Sequence, residues 1–185
     1  AVVDRGLKGL RTALEYCNAY GSTTVLLVPA VVSAKISYQD AYARSQAAIR
    51  KVLPDAERLG IKIAIENVWN NFLLSPLEMA RYLDEFQSPW IGAYFDIGNV
   101  VKFGWPEQWI RVLGPRILKL DVKEYGKEKL FNYPLGEGDI DWPAVREALA
   151  EIKYEGFATA EMRGGDAAYL ADLSGRMDKV LSLKA

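Results

Sequence analysis

Four acidic residues close short apolar runs in this chain. Glu66 ends IKIAIEN, Asp96 ends GAYFD, Asp121 sits in ILKLDVK, and Glu161 ends FATAE. There is no histidine anywhere in the 185 residues. That absence excludes a Ser-His-Asp triad, a Cys-His pair and a histidine-bound zinc. Acid–base work falls to carboxylates, lysines or tyrosines, and any metal must be held mainly by oxygen. Four carboxylates brought to one place would repel one another strongly without a cation. A divalent ion removes that cost and acts as a Lewis acid on a carbonyl or hydroxyl oxygen. All-oxygen ligation favours Mn²⁺ or Mg²⁺, with Zn²⁺ or Co²⁺ as alternatives.

The acids need a scaffold that sets them side by side. Apolar runs at 23–30, 61–68, 90–99, 116–125 and 157–164 read as strands. They alternate with helical patterns over 2–20, 37–60, 75–87, 106–114, 141–156 and 166–182. Pro54 is expected to kink the second helix. Strands alternating with helices imply parallel strands joined by right-handed crossovers. Unbroken apolar runs suit strands covered on both faces. No G-x-G-x-x-G turn follows the first strand, which disfavours a dinucleotide-binding sheet. A doubly wound open sheet and an α/β parallel (β/α) TIM-type barrel both fit this pattern, and the barrel is the expected fold; either way the site lies at the carboxyl ends of the strands. Such a barrel has eight strands in about 250 residues. The reading is therefore a single partial barrel domain over 1–185, the C-terminal five strands of eight, with about three βα units belonging to its N-terminal side.

Composition narrows the partners. Half of the residues are hydrophobic, a quarter are charged, and the net charge is -1, without the basic excess of a nucleic-acid binder. No run of apolar residues is long enough for a transmembrane helix. The opening AVVDRGLKGLRTALEYCNAYG reads as an amphipathic helix rather than a signal peptide. The single cysteine, Cys17, cannot form an intrachain disulfide and is expected to pack as a small apolar residue. A cytoplasmic protein is the matching expectation. The oligomeric state is left open, and a homo-oligomer is compatible with everything above.

The segments IAIENVWN, FDIGN, ILKLDVKEY, LGEGDIDWPAV and ATAEMRGGD resemble the sugar phosphate isomerase/epimerase superfamily, the xylose-isomerase-like TIM barrels. The likeness runs from about residue 20 to the end, with the segments in family order. It implies metal ligands at Glu66, Asp96, Asp121 and Glu161, with aspartate at 121 where many members carry histidine. It also implies that Glu66 and Glu161 are the catalytic acid/base pair, moving a proton beside a ketose carbonyl. The substrate would be a small sugar or sugar phosphate, and the reaction an isomerisation or epimerisation. A polyol (inosose-type) dehydratase of the same superfamily is the alternative enzyme. A non-catalytic truncated barrel serving as a binding module is the alternative outside catalysis. The superfamily's DNA-repair endonucleases depend on histidine-rich zinc sites, which this sequence does not have.

Residues beside the acids are candidates for substrate contact. Asn67 and Asn99 follow ligand positions, and each can equally form a turn. Lys123 and Arg163 lie two residues past Asp121 and Glu161, so each shares a strand face with its acid. Each could bind a substrate oxygen or phosphate, or pair with a neighbouring carboxylate. Trp69, and with it Trp105 and Trp142, could stack on the apolar face of a sugar or serve in packing. Gly136 and Gly138 in LGEGDIDW could let backbone N–H groups approach a substrate, including an anionic one, or simply form a flexible turn.

Overall fold

The structure is a computed structural model that describes residues 2–182; residues 1 and 183–185, the ends of the expected domain, lie outside the described residues. Elements alternate as expected. They are α1 (Val2–Ala19), β1 (Thr24–Leu27), α2 (Tyr38–Arg50), α3 (Leu53–Leu59), β2 (Lys62–Glu66), α4 (Pro76–Asp84), β3 (Ile91–Asp96), α5 (Pro106–Leu113), β4 (Ile117–Val122), α6 (Trp142–Glu151), β5 (Phe157–Ala160) and α7 (Ala167–Leu181). The strand order is β1-β2-β3-β4-β5. The chain divides into two compact units, one up to Tyr94 and one from Phe95.

In the first unit, β1 pairs with β2 and β2 with β3, both in parallel. Ile63, Ala64 and Ile65 of β2 are fully buried, which is why this run carries no polar alternation. An aromatic cluster lies beside them. Phe72 and Tyr82 meet edge-on at 5.6 Å between centroids, and Tyr42 and Tyr82 at 5.0 Å. Such T-shaped contacts suit the ring quadrupoles.

The single helix expected over 37–60 is in fact two. α2 ends at Arg50 and α3 starts at Leu53, with Pro54 in the first turn of α3. A proline there costs nothing, because its missing N–H would have had no partner within the helix. Proline therefore starts a helix here rather than kinking one. Ser37 caps α2 by accepting the N–H of Asp40, and Ser75 caps α4 by accepting that of Glu78.

In the second unit, β4 pairs with β5 in parallel, with Asp121 opposite Thr159. The N–H of Ile97, just past β3, donates to the carbonyl of Asp121 at 3.0 Å. Phe95 stacks on Trp109 at 6.2 Å, and Ile110, Leu113, Leu120 and Val145 are buried. Asp141 caps α6 through the N–H of Ala144, and Asp166 caps α7 through that of Tyr169. Among the described residues, no helix is long and apolar enough to cross a membrane.

Candidate metal centre

Three of the sequence-predicted acids meet in the second unit. Asp96 is the last residue of β3, Asp121 lies one residue before the end of β4, and Glu161 lies one residue past β5. Adjacent parallel strands run roughly 4.8 Å apart, so side chains at their carboxyl ends can converge. Carboxylate oxygens of Asp96, Asp121 and Glu161 all lie within 4.8 Å of one another. Asp96 and Asp121 are buried, whereas the Glu161 side chain is about half exposed, at 52%. The Glu161 N–H donates to the carbonyl of Val122 at 2.9 Å, which carries the parallel ladder one residue beyond β5 and sets that side chain against β4.

Asp96 is held from two directions. Its Oδ1 accepts the N–H of Asn99 at 2.7 Å, and its Oδ2 lies 2.9 Å from Lys123 Nζ. Lys123 Nζ also lies 2.7 Å from Glu161 Oε2, and 3.4 Å from Asn99 Oδ1. The lysine thus bridges two acids from neighbouring strands. Burial pushes the Asp96 carboxyl well above the usual carboxylate range, and the Lys123 charge opposes it. Burial also works against the Lys123 ammonium, but the Asp96 and Glu161 charges outweigh it and its pKa is raised.

Glu66 and its neighbours belong to the first unit. Glu66 is the last residue of β2, buried, and in register with Tyr94 of β3. Asn67 directly follows it and is buried, while Trp69 is 36% exposed. Asn99 and Lys123 are placed with the acids of the second unit. Arg163 lies exposed on the loop between β5 and α7.

Two residues escaped the sequence reading. Glu124 is fully buried, two residues past the end of β4. Its Oε2 accepts the N–H of Gly136 at 2.7 Å and Nε1–H of Trp142 at 3.0 Å, and its Oε1 accepts the N–H of Tyr125 at 3.1 Å. This corrects the expectation for the glycine loop. The anion that Gly136 approaches is the protein's own Glu124, and a Cβ on Gly138 would overlap Glu124 and the Tyr125 carbonyl. Trp142 is buried and spends its N–H on the same carboxylate, so it anchors the loop. Trp105 is 64% exposed at the start of α5. The second missed residue is Gly98. A Cβ there would overlap the Cγ of Lys123 and stand 3.0 Å from the Lys123 carbonyl oxygen, so the lysine stem lies where any other residue would stand. The FDIGN segment showed that a glycine was present but not what passes over it.

Parallel βα units with acids gathered at the strand ends define a barrel-type α/β protein with a carboxylate cluster at its strand ends. The chain belongs to the xylose isomerase-like TIM barrel family, whose model matches residues 1–179. Over 163 residues it is 25% identical to L-ribulose-5-phosphate 3-epimerase UlaE of Escherichia coli O1:K1, covering 88% of this chain. The chain spans 57% of the length of that relative. Among solved structures, a D-tagatose 3-epimerase-like protein superposes with a TM-score of 0.83 at 22% identity, covering 96% of this chain and 68% of that one. The IolI protein with a bound zinc atom superposes with a TM-score of 0.79 at 19% identity, covering 95% of this chain and 68% of that one.

Proposed function

We propose that this chain carries the catalytic carboxylates of a divalent-metal-dependent sugar or sugar-phosphate epimerase or isomerase. The observation that carries the reading is the meeting of Asp96, Asp121 and Glu161 carboxylates within 4.8 Å at the strand ends. The membership in the xylose isomerase-like family and the likeness to an L-ribulose-5-phosphate 3-epimerase support it. The donor set fits a hard cation. It is made of oxygens alone, and two of the three acids are buried. Asp96, Asp121 and Glu161 would hold the ion, and Glu66 is the fourth ligand that the family resemblance implies. Mn²⁺ or Mg²⁺ suits these ligands best. When bound, the ion supplies Lewis-acid stabilisation of negative charge on a substrate oxygen.

The chain's own residues move the proton. Glu66 takes it from the carbon beside the carbonyl and Glu161 returns it from the opposite face, or the reverse for the other epimer. Return to the same carbon inverts it, and return to the neighbouring carbon exchanges ketose and aldose. Asn67, Asn99, Lys123, Arg163 and Trp69 are the residues proposed to contact the sugar.

Calorimetric titration of Mn²⁺ into the metal-free protein is expected to show one site, abolished by Glu161→Ala. Glu66→Gln is expected to slow solvent-deuterium exchange into a ketose by about 10²- to 10⁴-fold, the usual contribution of a general base. Undiminished exchange in Glu66→Gln would remove the acid/base assignment, and a folded protein that ignores Mn²⁺ would remove the metal.

A further inference from the structure

The carboxylate cluster already contains a cation. Lys123 Nζ lies within 2.9 Å of Asp96 Oδ2 and 2.7 Å of Glu161 Oε2, and its side chain is only 12% exposed. Its seat is built rather than incidental. The stem crosses Gly98 where a Cβ would overlap it, and the ammonium also faces Asn99 Oδ1 at 3.4 Å and the Phe131 ring at 5.1 Å from the centroid. A long lysine on a surface would gain little from one exposed carboxylate. Here it is largely out of water and shared between two.

An ammonium and a divalent ion compete for the same oxygen lone pairs. At separations of a few ångströms in a partly buried site their like charges also repel strongly. Resting on the metal reading above, we propose that Lys123 is a resident counter-cation that sets the metal affinity of the cluster. Lys123 holds Asp96 and Glu161 together before loading. It gives up both carboxylates when a divalent ion arrives, and turns to Asn99 and the Phe131 face. Two consequences follow. The acids do not depend on an ion to offset their mutual repulsion, so the unit keeps its fold while unloaded. The ion is also bound more weakly than the carboxylates alone would bind it, because Lys123 must be displaced.

The test is calorimetric titration of Mn²⁺ into metal-free wild type and Lys123→Met. The variant is expected to bind at least ten-fold more tightly. Weaker or equal binding by the variant, with the wild type binding, overturns the inference and leaves the metal reading standing, since Lys123 then orients the ligands instead of competing. Absence of binding by both proteins overturns the metal reading and the inference with it. A second measurement needs no variant. Brief acetic anhydride labelling of the wild type, read by mass spectrometry, is expected to modify Lys123 several-fold faster at saturating Mn²⁺. Unchanged labelling in protein that binds Mn²⁺ overturns the displacement.

Discussion

Asp96 and Glu124 are both fully buried carboxylates of the second unit, and they are satisfied in opposite ways. Glu124 accepts three N–H groups that are neutral and fixed in direction: Gly136, Trp142 and Tyr125. Asp96 accepts a backbone N–H from Asn99 but also faces the ammonium of Lys123. Directed neutral donors close a site, because nothing that could replace them carries more charge at that geometry. A charged side chain on a flexible stem leaves a site exchangeable, because a stronger cation can take its place. Two acids buried to the same degree are therefore held differently, one fastening the loop over 135–142 and the other, in the proposed reading, open to a metal ion. Glu78 of the first unit belongs with Glu124. Its Oε2 accepts the Tyr38 hydroxyl at 2.6 Å and the N–H of Leu74 at 3.1 Å, fastening the start of α4.

The largest effect is expected at Glu124. Glu124→Leu leaves the Tyr125 and Trp142 N–H groups buried without this acceptor, at about 1–3 kcal/mol each, so roughly 4 kcal/mol should be lost in urea unfolding. An unchanged urea midpoint would show that the loop does not need this anchor and would erase the contrast with Asp96.

Asp96→Asn is expected to cost the fold less. It leaves the largely buried Lys123 ammonium with Glu161 alone, at about 2 kcal/mol, less than a fully broken buried pair, and it removes Mn²⁺ binding. A loss as large as that of Glu124→Leu would mean that Asp96 anchors the fold as Glu124 does.

The smallest effect tests Glu78. Burial and the bond to Glu78 push the Tyr38 phenol up to about 12. A folded-state pKa above the unfolded one contributes stability that is complete below about pH 10 and is lost as pH rises toward 12. Tyr38→Phe should therefore cost about 1 kcal/mol at pH 8, and the gap to wild type should narrow between pH 10 and 12 in thermal melts. A gap that stays constant through that window would mean the phenol does not stabilise through its proton.

What the sequence determined by itself was the alternation of strands and helices and the acids at the strand ends. Both are local properties. A buried parallel strand must be an apolar run, and a polar residue at its carboxyl end stands out against that run. The caps at Ser75, Asp141 and Asp166 are local in the same sense, since each accepts an N–H only three residues on. Pro54 misled because one proline is compatible with a kink or a new helix, and only the packing of α2 and α3 chose between them. The partner of each acid was decided by tertiary structure alone. Period two placed Lys123 on the face of Asp121, but only the neighbouring strands brought it to Asp96 and Glu161. Glu124, just past β4, takes two of its three donors from Gly136 and Trp142, more than ten residues further on. Charge and hydrogen-bond pairing across that many residues depend on how the chain returns to itself, and no local pattern of residues encodes that return.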